Sequence, residues 1–324
     1  MSADQDDGEP VAVADVEAEV AEALVPRHDV PKGGRSGFVV VDDRQVHYLE
    51  WGHGGLPPVL CLHGGGQTAY MYEELGAALG HRYHLLAPDL PSHGDSDAMI
   101  LAVDPETGPP IGMGPQMISS TMPPLLDHFG MQRVALVGAS LGGLTSIRFA
   151  EAHPDRAAAI ALIDVGHRLE PEGVRKIIDF MSRHESFASL EEAATEISKY
   201  LPGRKDVRPE SLTRNLRKRD DGRWVWKHGF GRRFREVKEE DHPANNLDEF
   251  LGGVKEAAES IRCPVLVLRG DASDVLSQQG AEEVAALMPN ATLATVEKAG
   301  HLAAGDNPKS TVRLIAGFLD EQRW

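Results

Sequence analysis

From about residue 37 onward the chain alternates short, unbroken apolar runs with longer stretches of helical spacing. The runs fall at residues 38–41, 46–49, 58–62, 83–87, 134–137, 159–163, 264–268 and 292–296. The first two flank Asp42-Asp43-Arg44-Gln45 and read as a hairpin. The later runs lack the polar alternation of a half-exposed strand, so they suit strands buried on both faces. Between them, residues 70–79, 116–129, 141–153, 280–288 and 309–319 carry apolar positions at three- and four-residue intervals. Strands alternating with helices imply an α/β domain, here a mostly parallel eight-stranded sheet flanked by helices.

That alternation stops after Asp164. Residues 174–181 and 190–200 have helical periods, and an Asp221-Gly222 turn precedes Arg223-Trp224-Val225-Trp226, but no core-type strand returns until after Leu247. An insertion at a strand's carboxyl end lies over the crevice where α/β proteins bind ligands. Residues 165–247 therefore read as a mainly helical cap, and 36–164 with 248–324 as the core. Met181, Phe187, Trp224, Trp226 and Phe230 fit packing inside the cap as well as lining a pocket. The cap is locally basic, with Arg214, Arg217, Lys218, Arg219, Arg223 and Lys227 among its cations. A solvated helical surface is the simpler reading of that charge, and a clamp for an anionic substrate the sharper one. Residues 1–35 open on an acidic stretch without aromatic residues and are expected to form a disordered extension.

Charge narrows the partners. Lys+Arg 33 against Asp+Glu 50 gives a net charge of −17 over 324 residues, which disfavours nucleic acid and anionic membranes. Cys61 and Cys263 sit in apolar runs and form no disulfide framework. No run reaches the ~18 apolar residues of a membrane span. The N-terminus lacks the basic start and apolar core of a secretory signal, so a cytoplasmic location is expected. His-Glu-x-x-His and paired cysteines are missing, so no metal and no cofactor is expected. A small-molecule substrate is the expected partner; nothing in the pattern fixes an oligomeric state.

The chemistry begins at Gly138-Ala139-Ser140-Leu141-Gly142, between an apolar run and a helical segment. A serine between two glycines at a strand-to-helix junction is a nucleophile elbow, a strained turn that exposes the hydroxyl above the sheet. Serine needs a base within hydrogen-bond reach. His301, in Ala299-Gly300-His301 beyond the last run, falls at the same sheet edge. The base needs an acid to fix its tautomer. Asp274, on the loop after residues 264–268, is favoured; Asp271 on the same loop and Asp164 at the end of residues 159–163 are the alternatives. The glycine turn Leu62-His63-Gly64-Gly65-Gly66-Gln67 offers the Gly65 N–H as an oxyanion donor, with the Leu141 N–H as the second. It matches neither phosphate-binding pattern, Gly-x-x-x-x-Gly-Lys-Ser/Thr or Gly-x-Gly-x-x-Gly. His63 and His93 read as loop-bracing residues.

Taken together, residues 37–320 resemble the α/β-hydrolase superfamily. The resemblance rests on HGGG at 63–66, Asp89 with His93-Gly94 and Ser96, GASLGG at 138–143, RGDASD at 269–274 and Gly300-His301, in that order. It implies Ser140 as nucleophile, Asp274 as acid and His301 as base. Two departures stand out: Pro91-Ser92 replaces the usual Arg-Gly, and the step from Gly270 to Asp274 is four residues where three is commoner. Superfamily members that cleave haloalkanes or epoxides use an aspartate at the elbow, which Ser140 argues against. The expected activity is hydrolysis of an ester-like substrate, a carboxylester, lactone or thioester, through an acyl-enzyme. Carbon–carbon bond hydrolysis and cofactor-free haloperoxidase or perhydrolase chemistry are the alternatives within enzymes, and a non-catalytic ligand receptor the alternative outside them.

Overall fold

A computed structural model describes residues 30–99, 114–201, 207–229 and 238–322. All eight expected core strands form: β1 (Arg35–Val41), β2 (Arg44–Trp51), β3 (Pro58–Leu62), β4 (His84–Pro88), β5 (Val134–Ala139), β6 (Ala157–Ile163), β9 (Val265–Gly270) and β10 (Ala291–Val296). They make one sheet in the order β1-β2-β4-β3-β5-β6-β9-β10. The β1–β2 and β2–β4 pairs are antiparallel, and the rest are parallel. Asp42 and Asp43 both take positive φ, 49° and 58°, as the two-residue hairpin turn between paired Val41 and Arg44 requires.

The unbroken apolar runs are explained by burial on both faces. Leu60, Leu62, Leu136, Ile160, Leu162 and Val267 join one apolar cluster. Their neighbours Val59, Cys61, Val137, Ala161, Leu266 and Leu268 join another on the opposite face. The flanking helices are α1 (Glu73–Leu79), α2 (Pro115–Ser119), α3 (Met122–His128), α4 (Leu141–Ala152), then α5 (Pro171–Arg183) and α6 (Leu190–Tyr200) in the insertion. They continue as α7 (Leu247–Phe250), α8 (Val254–Ser260), α9 (Gln278–Leu287), α10 (Ala303–Asp306) and α11 (Pro308–Asp320). The single helix expected over 116–129 is two, because Pro123 and Pro124 fit only a helix's first turn and force a new start at Met122.

The insertion has its own apolar centre, made by Phe187, Ala193, Ala194, Ile197, Leu212 and Leu216. A short hairpin of β7 (Leu216–Lys218) and β8 (Trp224–Trp226) closes it, turning at Gly222 (φ 82°) as the Asp-Gly pair suggested. Trp226 lies edge-on to Phe187, 5.5 Å between ring centroids, so these aromatics pack within the insertion. Polar ties fix it to the core. Arg214 grips Glu73 at 2.6 and 2.8 Å and lies over the Tyr70 ring, and Lys227 meets Asp95 at 2.6 Å. Phe230 and residues 1–29 lie outside the described residues. The extension expected through residue 35 is already docked at Lys32: its carbonyl accepts from Trp51 Nε1 and its N–H donates to Glu73. Among the described residues no helix is long and apolar enough to cross a membrane.

Candidate active site

The parallel strands bring their carboxyl ends to one edge, and β5, β6 and β10 each deliver a candidate residue there. Ser140 follows β5 and begins α4, with φ 47° and ψ −117°, a conformation that side chains other than glycine's rarely adopt. Its N–H donates to the Ile163 carbonyl, and its carbonyl accepts from Gly143 and Leu144. The flanking glycines are steric requirements. A Cβ at Gly142 would overlap the Leu62 carbonyl oxygen, and one at Gly138 the Gly142 carbonyl.

The glycine turn after β3 lies against the serine: a Cβ built on Gly64 would stand 3.4 Å from Ser140 Cβ. Gln67 closes the turn by donating its N–H to the Gly64 carbonyl while its side-chain oxygen accepts from Gly64 N–H. Gly65 sits at the half-buried crest. Leu141 N–H belongs to the first turn of α4, where backbone donors have no partner within the helix.

His63 is fully buried, with Nδ1 donating to the Gly64 carbonyl and Nε2 accepting from Leu90 N–H. Both ring nitrogens are used by a neutral imidazole, and burial pushes its pKa down to about 4. It therefore braces its own turn, as expected, and also joins that turn to the loop after β4. His93 Nδ1 donates to the Pro91 carbonyl, and its ring stands 5.2 Å from His63 and 6.0 Å from His228 of the insertion. Burial pushes His228 down to about 3. His228 and Met181 both reach the Gly66 side of the turn, where Met181 leaves no room for a Cβ. Ser92 takes the left-handed φ of 63° that the usual glycine would supply.

The same loop is braced by Asp89, which accepts from Ala69 N–H, Asp95 N–H and His47 Nδ1. Burial alone would raise its carboxyl, but these bonds hold it below the usual carboxylate range. His47, Asp89 and Asp95 are the one group of metal-ligand type among the described residues. Their atoms are engaged in this brace and with Lys227.

The structure does not bring the expected Asp274 to the histidine. His301, beyond β10, meets Asp164 and not Asp274: Nδ1 lies 2.8 Å from Asp164 Oδ2. Asp164 follows β6 at φ 52°, with no exposed surface. Its Oδ1 accepts from Gly270 N–H at 2.9 Å, and its Oδ2 also accepts from Ser273 Oγ at 2.5 Å. A carboxylate removed from water costs several kcal/mol unless its lone pairs are filled. Counting His301, three donors meet the two Asp164 oxygens. Asp274 points outward, about half exposed, and pairs with Lys176 of α5 at 2.9 Å. Asp271 instead accepts from Lys298 N–H and Ala299 N–H, which shapes the His301 loop. In the sequence Asp274 is favoured for its place on the loop after residues 264–268, although its step from Gly270 is longer than usual; the order nucleophile, acid, base is met equally by Asp164. Asp164, the alternative at the end of residues 159–163, directly follows a wholly buried strand, and that burial is the sequence signal in its favour.

Similar proteins agree with this architecture. A profile described as the Alpha/beta hydrolase family matches residues 59–314. The esterase Rv0045c of Mycobacterium tuberculosis is 30% identical over 287 residues, covering 85% of this chain and 86% of its own. A crystal structure of that esterase superposes with TM-score 0.68 at 26% identity, over 94% of this chain and 97% of that one. A crystal structure of an alpha/beta hydrolase from Novosphingobium aromaticivorans gives TM-score 0.70 at 27% identity, over 89% and 99%.

Proposed function

Since the chain belongs to the alpha/beta hydrolase family, we propose that it is a serine esterase in which Ser140, His301 and Asp164 act as nucleophile, base and acid. Family membership and the 30%-identical esterase support a hydrolase acting on ester bonds. The observation that carries the finer reading is the 2.8 Å bond between His301 Nδ1 and the buried Asp164 carboxylate. That bond commits Nδ1 as a donor and leaves Nε2 as the basic nitrogen, the division of roles a general base needs.

In this mechanism Nε2 of His301 takes the Ser140 hydroxyl proton as Oγ bonds to the substrate carbonyl carbon. The carbonyl π pair moves to oxygen, which the N–H groups of Gly65 and Leu141 hold. Collapse of the intermediate breaks the bond to the leaving alcohol, which takes the proton from His301. Water then gives a proton to His301 and attacks the acyl carbon, and the proton returns to Ser140 Oγ as the carboxylic acid departs. Residues 165–247 act as the cap, with Met181 and His228 bounding the entrance above the glycine turn. The substrate is a small carboxylester, lactone or thioester. The acidic surface and the free cysteines suit a cytoplasmic enzyme.

The test is labelling by a fluorophosphonate. The wild type is expected to become covalently modified, and Ser140→Ala to stay unmodified at the same folded concentration. Folded wild type that resists labelling would favour a ligand receptor. Turnover of a ring-fission diketone, with no turnover across an ester and lactone panel, would move the assignment to carbon–carbon bond hydrolysis.

A further inference from the structure

Ser273 is absorbed by none of the roles above, yet it touches the acid directly. Its Oγ lies 2.5 Å from Asp164 Oδ2, the oxygen that also meets His301 Nδ1 at 2.8 Å. The direction of its proton is set from behind. Val275 N–H at 3.2 Å and Leu276 N–H at 3.1 Å donate to the same Oγ, so the hydroxyl's one hydrogen is left for the carboxylate. Such a chain, from N–H to Oγ and from O–H to carboxylate, polarises along its length.

The backbone prepares this contact. Ser273 N–H donates to the Gly270 carbonyl and closes the turn, while Gly270 N–H holds the other carboxylate oxygen. The two donors, one ending β9 and one on the loop after it, therefore grip both oxygens and set the plane in which the carboxylate faces the imidazole. Ser273 also stands three residues after Gly270, the step at which the resembled superfamily more often places its acid. In this chain the position carries a hydroxyl aimed at an acid from the neighbouring strand.

We propose that Ser273 is a positioning residue for the hydrolytic reaction, holding the Asp164 carboxylate in register with His301 and moderating its pull on the imidazole proton. The proposal rests on the assignment of Asp164 as the acid. Removing the hydroxyl frees Oδ2 to turn and concentrates its charge beside the ring, so less of the imidazole stands ready, unprotonated and oriented, to take the Ser140 proton near neutral pH.

The readout is the second-order rate of fluorophosphonate labelling across pH, which needs an activated Ser140 but no knowledge of the substrate. Ser273→Ala is expected to label about tenfold more slowly at pH 7, equivalent to about 1.4 kcal/mol. The midpoint of its acid limb should move to higher pH. Ser273→Thr keeps the hydroxyl at a half-buried position and should keep the wild-type midpoint, with a rate within about threefold. Circular dichroism and thermal melting confirm that each variant is folded.

A Ser273→Ala protein with unchanged rate and midpoint overturns the proposal. So does an equal slowing in the alanine and threonine variants with no movement of the midpoint, which would mark simple loop disruption. Asp164→Asn separates the two levels of the argument. If it labels within tenfold of wild type, the acid assignment itself fails; if it is silent while Ser273→Ala is normal, only the role of Ser273 fails.

Discussion

The loops after β6 and after β9 both offer carboxylates at the edge of the sheet where His301 lies, and they treat them in opposite ways. Asp164 leaves β6 in a left-handed turn that tucks its side chain under the sheet edge, wholly out of water and against His301. On the other loop, Asp271 and Asp274 face outward, one shaping the backbone of the histidine loop and the other pairing with Lys176. What reaches inward from that loop is Ser273. The difference lies in desolvation. Asp164 has no exposed surface where it meets the imidazole, whereas Asp274 is about half exposed and pairs with a lysine in water.

The largest test of that contrast is a pair of substitutions that change charge but hardly change shape. Asp164→Asn presents an amide where Nδ1 needs an acceptor and favours the wrong imidazole tautomer, so kcat should fall by about 10³–10⁴-fold. Asp274→Asn should stay within about twofold of wild type, because its loss reaches only an exposed lysine. Equal losses in the two variants would erase the distinction between the loops. Steady-state rates on whichever ester the panel identifies would decide it.

Much of this was legible before any coordinates. The eight apolar runs, the elbow, the glycine turn and the edge that carries His301 follow from side-chain periodicity and from short motifs whose steric demands are local. Gly142 must be glycine because Leu62 crowds it, and the five-residue pattern already announced that. Choosing among three aspartates was another matter, because the decision lies in which one the sheet buries. Spacing along a loop does not encode that: the peptide after Ser273 simply turns Asp274 toward α5. The split at Met122 was readable from Pro123-Pro124. The docking of Lys32 on Trp51 and Glu73 was not, because it depends on residues far along the chain.

A smaller effect sharpens the comparison from the β9 side. Asp271 holds the Lys298 and Ala299 N–H groups, and these bonds keep its carboxyl below the usual range. A carboxylate with a depressed folded-state value adds stability above its unfolded value, near pH 3.9, and loses that contribution as the pH falls through the folded value. Asp271→Asn should therefore melt below wild type at pH 7, and the gap should close as pH drops below about 4. Fluorophosphonate labelling of the folded variant should survive, since His301 keeps its partner in Asp164. A variant as stable as wild type at pH 7 would mean that the loop around Lys298 (φ 54°) holds its shape without this acceptor.

The faintest expected effect belongs to the tie between the β9 loop and α5. Lys176 and Asp274 are each more than half exposed, 60% and 53%, so water and salt compete for both charges. Exposed pairs of this kind contribute about 0–1 kcal/mol. Lys176→Ala should accordingly shift the denaturation midpoint barely beyond error, and added salt should remove even that. Arg214 makes the contrasting tie, bidentate to Glu73 and stacked over Tyr70, with side-chain exposures of only 26% and 15% for the ion pair. Arg214→Ala should cost more stability than Lys176→Ala at every salt concentration. If the two variants behave alike, burial is not what separates strong from weak attachments between insertion and core.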